Sequence, residues 1–173
     1  MARIILITGG ARSGKSRLAE RLAEEFGSPL CYVATALAGD EEMTERIARH
    51  RDRRGKKWQT LEEPYDLKGV LSGHDGCFRA MLVDCVTLWL TNRLLHCGDP
   101  LRVREDVQGV AELLATLGTP VVLVTNEVGM GIVPDNQLAR SFRDLAGEAN
   151  EILARVADEV YVTFAGLPLK LKG

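Results

Sequence analysis

The sequence lacks the usual staples of a small protein. Its four cysteines, Cys31, Cys77, Cys85 and Cys97, form no C-x-x-C pair and have no clustered histidines beside them. That argues against a zinc site. Cys31 and Cys85 lie within apolar runs and read as small core fillers rather than disulfide partners. No apolar stretch approaches the length of a membrane span. There is no excess of positive charge either: 22 Lys and Arg stand against 24 Asp and Glu, a net charge of −2. A generally basic nucleic-acid or membrane-surface binder is therefore not expected, although a local basic patch is compatible with this balance. Repeats, low-complexity tracts and linkers are absent. The start, Met1 to Gly9, is too short and too soon broken by glycine for a signal peptide, so a soluble cytoplasmic protein is the expectation.

What is present is ordinary globular composition. The chain has 173 residues, 46% hydrophobic and 27% charged. At this size folding buries roughly 70% of the unfolded surface, so one nucleotide-binding domain over 1–173 is expected without a staple. Apolar runs at Arg3–Thr8, Leu30–Thr35, Arg79–Cys85, Val121–Thr125 and Glu159–Phe164 predict strands, with a sixth at Leu167–Lys172 after a turn at Gly166. Helical spacing predicts helices over Ser16–Phe26, Asp40–Arg54, Thr87–His96, Arg104–Leu117 and Leu138–Ala157, with a short one at Asp66–Leu71. Residues 126–137 hold two glycines and a proline and read as a loop. Strands alternating with helices imply an α/β fold with a mainly parallel central sheet flanked by helices.

Gly9-Gly10-Ala11-Arg12-Ser13-Gly14-Lys15-Ser16 fits G-x-x-x-x-G-K-[ST], placed between a strand and a helix. Glycines let the backbone curl so that successive N–H groups face phosphate oxygens, and the helix N-terminus adds partial positive charge. Lys15 then reaches the outer phosphates, and Ser16 offers a hydroxyl to Mg²⁺. Such a loop needs a carboxylate at a nearby strand end. Asp84, closing Met81-Leu82-Val83, supplies one, unless it merely caps the following helix. Together these features indicate a nucleoside triphosphate with magnesium, but leave kinase, ATPase and switch open. A guanine-reading Asn-Lys-x-Asp element is not formed by Asn126-Glu127-Val128-Gly129, which weakens the regulatory GTPase reading. A non-catalytic nucleotide-binding module also stays open.

Residues 46–57 contain seven basic side chains and one acidic one. On a helix Met43, Ile47 and His50 share one stripe, with Arg46, Arg49 and Arg53 beside it. Surrounding cations keep an imidazole neutral and nucleophilic while drawing in a triphosphate. A solvated basic face carrying one partly buried histidine fits the same residues. His74 in a turn and His96 at a helix end read as structural. Trp58 and Trp89 read as core anchors.

The whole set resembles the bifunctional adenosylcobinamide kinase/adenosylcobinamide-phosphate guanylyltransferase family, from Ile4 to about Lys172. The resemblance rests on Gly9 to Ser16, Arg46-Ile47-Ala48-Arg49-His50-Arg51, and the unusual run Val124-Thr125-Asn126-Glu127-Val128-Gly129-Met130-Gly131-Ile132-Val133-Pro134. It implies a RecA-like P-loop fold and a homotrimer. It also implies phosphorylation of adenosylcobinamide by ATP or GTP. GMP then passes from GTP through a guanylylated histidine, giving adenosylcobinamide-GDP and pyrophosphate. The matching histidine is His50. Nucleotide contacts fall on Gly9, Gly10, Ala11, Arg12, Ser13, Gly14, Lys15 and Ser16, on Ala34, Thr35 and Ala36, on Arg51, Asp52, Arg53 and Arg54, and on Glu62 and Asp84. Ser16 and Asp84 are the implied Mg²⁺ ligands. Residues 126–134 are expected to shape the corrinoid or trimer side. A triphosphate seated in the P-loop does not by itself present its α-phosphate to His50, so movement of residues 36–57 is expected.

Overall fold

The computed structural model describes residues 2–37 and 55–173. The helix expected over 40–54, with His50, Arg51, Asp52, Arg53 and Arg54, and most of the segment expected to move, lie outside these residues.

The strands are β1 (Ile4–Gly9), β2 (Leu30–Ala34), β3 (Trp58–Glu62), β4 (Ala80–Asp84), β5 (Val121–Val124), β6 (Glu159–Phe164) and β7 (Leu167–Lys172). They form one sheet in the order β3-β2-β4-β5-β1-β6-β7. All neighbours pair parallel except β6 and β7, an antiparallel hairpin. The central strands β1, β4 and β5 are apolar up to their carboxyl ends because both faces are covered. In β1, Ile5 and Ile7 face one core while Ile4 and Leu6 face the other. The first face packs against Leu18, Ala19 and Ala23 of α1 (Lys15–Glu24). The second is covered by α2 (Leu67–Gly73), α3 (Val86–Cys97), α4 (Pro100–Leu114) and α5 (Gln137–Val156). Each fully buried Leu, Ile or Val contributes about 1.5–3 kcal/mol, so the two apolar layers dominate the fold's stability.

Two elements depart from expectation. β3 is an extra strand, in register with β2 from Leu30↔Trp58 to Ala34↔Glu62. Its sequence, Trp-Gln-Thr-Leu-Glu, carries no apolar run because it edges the sheet and is only partly covered. Helix α4 starts at Pro100 rather than Arg104. Gly98, at φ 67, ends α3, and the Asp99 side chain accepts from Leu101 N at 2.9 Å with Pro100 in the first turn. The Gly-Asp-Pro break is thus itself a helix start. Cys31 and Cys85 are buried free thiols, as expected for core fillers. Burial pushes both up to about 12, with Asp84 adding to the effect on Cys85.

Candidate functional site

The parallel strands end on one edge of the sheet, where β5 separates β4 from β1. Ligands of open α/β sheets bind outside such strand ends. β1 ends at Gly9, and the chain then curls through residues 10–14 into α1. Gly9 has φ 148, and a Cβ there would meet the Thr163 carbonyl oxygen at 2.6 Å, so no side chain fits without displacing β6. Gly14 has φ 99, the left-handed region open to glycine. The hairpin braces the loop from the other side. Ser13 Oγ and Thr163 Oγ1 lie 2.6 Å apart, and Gly166 N donates to Ser13 O at 2.9 Å.

Helix α1 has no side-chain cap and no acidic residue in its first turn. By contrast, Asp66, Asp99 and Asn136 cap α2, α4 and α5. A side-chain cap is worth about 1 kcal/mol, and its absence leaves the first N–H groups of α1 open to an anion. Lys15 is buried, and its Nζ donates to Gly10 O at 2.5 Å, so the ammonium lies over the loop.

Asp84 closes β4, two strands from β1. Ser16 Oγ donates to its Oδ2 at 2.9 Å, and Tyr32 OH donates to the same oxygen at 2.9 Å. Cys85, the residue before α3, gives that helix no side-chain cap, and Asp84 turns toward Ser16 instead of capping it. Both hydrogen bonds fall on Oδ2; none reaches Oδ1 among the described residues. A hydroxyl and a carboxylate in contact make an oxygen-only pair, the hard donor type that Mg²⁺ accepts.

The other expected residues divide by setting. Ala34 and Thr35 are buried at the end of β2, beside Asp84. The Thr35 hydroxyl donates to Cys85 O at 2.7 Å and accepts from Cys85 N at 2.8 Å. That side chain therefore fastens the Asp84–Cys85 corner. Ala36 is partly buried, and Glu62 is exposed at the end of β3, opposite Ala34. Gly10, Ala11 and Arg12 are exposed on the loop. His74 and His96 stand apart from this edge's chemistry: His74 Nδ1 lies 2.8 Å from Val70 O, and His96 packs on the Tyr65 ring. Trp89 is buried and donates to Tyr65 O; Trp58 is buried and donates to Glu24.

Sequence reasoning missed three contributors. Tyr32 holds Asp84, and Thr163 holds Ser13; both sit in apolar strands, where one polar tip gives no pattern to read. The third is a cluster after β5. Glu127 N donates to Gly9 O at 3.1 Å, Thr8 Oγ1 donates to Glu127 Oε1 at 2.6 Å, and Asn150 Nδ2 from α5 donates to the same oxygen at 3.1 Å. Glu127 lies in the run from Val124 to Pro134 expected at this edge, but its tie to Thr8 and Asn150 leaves no local pattern in the sequence.

The fold and loop define a P-loop nucleotide-binding protein. A KaiC-like protein from Pyrococcus horikoshii shares the fold, with a TM-score of 0.52, 15% identity, and coverage of 92% of this chain and 71% of that one. The model of the cobinamide kinase / cobinamide phosphate guanyltransferase family matches residues 5–171. The bifunctional adenosylcobalamin biosynthesis protein CobP of Pseudomonas aeruginosa is 51% identical over 97% of this chain and 96% of its own length. The corresponding protein CobU of Escherichia coli is 40% identical over 98% of this chain and 99% of its own, and that of Salmonella typhimurium 41% over the same shares. The chain belongs to the cobinamide kinase / cobinamide phosphate guanyltransferase family of bifunctional enzymes.

Proposed function

We propose that this chain runs both reactions of its family at the carboxyl edge of the sheet. In the first, the γ-phosphoryl of ATP or GTP passes to the alcohol of adenosylcobinamide. The loop from Gly9 to Ser16 holds the phosphates, with Lys15 neutralising their charge. The residues at the site suit Mg²⁺, with Ser16 and Asp84 as its protein ligands and Glu62 a candidate third group. When bound, the ion supplies positive charge that offsets negative charge on the transferred group. Tyr32 fixes Asp84 for that role. The observation that carries this reading is the Ser16–Asp84 contact at the mouth of an uncapped helix.

In the second reaction, an imidazole nitrogen of His50 attacks the α-phosphorus of GTP. A P–N bond forms, the bridging bond to the β-phosphate breaks, and pyrophosphate leaves. An oxygen of adenosylcobinamide phosphate then attacks the same phosphorus, the P–N bond breaks, and adenosylcobinamide-GDP is released. Arg51, Arg53 and Arg54 neutralise the triphosphate, and Ala34 to Ala36 line the nucleotide's approach. Residues 126–134 form the corrinoid side: Met130, Ile132 and Val133 are exposed there, while Arg143 and Arg140 hold the loop through Gly129 O, Pro134 O and Asp135 O. Copies of the chain assemble as a homotrimer in the cytoplasm; the exposed Leu167, Leu169 and Leu171 of β7 support self-association.

The test is a covalent label. Protein incubated with α-labelled GTP should retain an acid-labile, alkali-stable label. His50→Ala should lose it and keep the kinase step. Label persisting in that variant removes His50 from the mechanism, and no label on the native chain leaves a kinase without nucleotidyl transfer.

A further inference from the structure

The geometry points to Glu127 as the group that takes the proton from the corrinoid's alcohol during phosphoryl transfer. This rests on the P-loop reading above and deepens it. Glu127 follows β5, the strand that lies directly beside β1, and its backbone N–H donates to Gly9 O at 3.1 Å. It is therefore tied to the first residue of the phosphate loop. Its two side-chain hydrogen bonds, from Thr8 Oγ1 at 2.6 Å and Asn150 Nδ2 at 3.1 Å, both fall on Oε1. Oε2 accepts none among the described residues.

The two donors are themselves fixed. Thr8 is buried as the last residue before the loop. Asn150 also donates to Asn126 O at 3.2 Å, and its Oδ1 accepts from Thr125 Oγ1 at 2.7 Å. One carboxylate oxygen is thus clamped by a network built on β1, β5 and α5, and the other is left for a ligand. Directly after Glu127 the chain runs into exposed apolar residues, with Ile132 96% exposed. A bulky, largely apolar acceptor resting on that loop would bring its alcohol to the carboxylate next to the loop that holds the donor phosphates.

The step balances. The alcohol proton passes to Glu127 Oε2 as the alcohol oxygen bonds to the γ-phosphorus. The bond from that phosphorus to the β,γ-bridging oxygen breaks, and the nucleoside diphosphate leaves. Asp84 does not serve this role: it ends β4, two strands from β1, and Ser16 and Tyr32 hold its Oδ2 at the position proposed above for Mg²⁺.

Glu127→Gln keeps an acceptor for Thr8 but cannot take a proton. It should lower kcat for cobinamide phosphorylation by roughly 10²–10⁴-fold, the range of a lost general base. The KM for ATP, the melting temperature and the label from α-labelled GTP should be unchanged. Thr8→Val, which removes only a donor to Oε1, should lower the same kcat about tenfold without moving KM. A Glu127→Gln kinase within about threefold of the native rate overturns the inference. So does a loss shared equally by phosphorylation, label and melting temperature, which marks a structural role. Lys15→Ala run in parallel separates the two levels. If it phosphorylates cobinamide normally, the P-loop reading fails; if it is inactive while Glu127→Gln is not impaired, only the role of Glu127 fails.

Discussion

Carboxylates at the two edges of the sheet are used differently. At the amino edge, Asp75 accepts from Gly118 N and Thr119 N, with both of its oxygens engaged. Glu159 there accepts from Arg3 on one oxygen and from Tyr161 and Lys170 on the other. At the carboxyl edge, Asp84 and Glu127 each take two donors on a single oxygen. The saturated groups pin chain ends and loops. The half-used ones are oriented, yet keep an oxygen for something outside the protein. The same division runs through the helices: Asp66, Asp99 and Asn136 cap three of them, while α1 and α3, which open beside the phosphate loop and Asp84, have no side-chain cap.

The largest way to sharpen this contrast is Asp84→Asn. It keeps the acceptor for Ser16 but removes the charge, and kcat/KM for cobinamide phosphorylation should fall on the order of 10³-fold, about 4 kcal/mol. Its melting temperature should hardly change. Glu159→Gln should do the opposite. Burial raises the Glu159 carboxyl, but hydrogen bonds from Tyr161, Lys170 and Arg3 outweigh this and hold it at about 2, against an ordinary 4.5. A depressed folded value adds stability above pH 4.5 that drains away as the pH falls toward 2. The variant should lose about 1–3 kcal/mol in urea unfolding at pH 7 and show a flatter acid limb, with turnover intact. Removing one donor from Asp84 is milder. Tyr32→Phe should lower the kinase rate about tenfold through a looser carboxylate, read as kcat at saturating ATP. The smallest effect concerns thiols: exposed Cys77 should alkylate at pH 8, while Cys31 and Cys85, held near 12 by burial, should not until the chain unfolds.

Legibility in the sequence followed the kind of signal each element leaves. β1, β4 and β5 were plain because strands buried on both faces are continuous apolar runs. The phosphate loop was plain because its backbone curl requires glycine at set spacing. Asp84 was recoverable as an acidic residue ending such a run. β3 was not, since an edge strand alternates without an apolar run. Tyr32, Thr163 and the Thr8–Glu127–Asn150 cluster were hidden for another reason. Their roles come from contacts between residues as much as 150 apart in the chain, Ser13 with Thr163 for one, and no local pattern encodes these. Thr35 was legible in position but not in use, since its hydroxyl is taken up by the Cys85 backbone.

A crystal structure with Mg²⁺ and a non-hydrolysable ATP analogue tests the Ser16–Asp84 site most directly. The outer phosphates should lie in the loop from Gly9 to Ser16, with the ion on Ser16 Oγ and beside Asp84. A triphosphate bound elsewhere, with the Ser16–Asp84 hydrogen bond still closed over an empty loop, would contradict it.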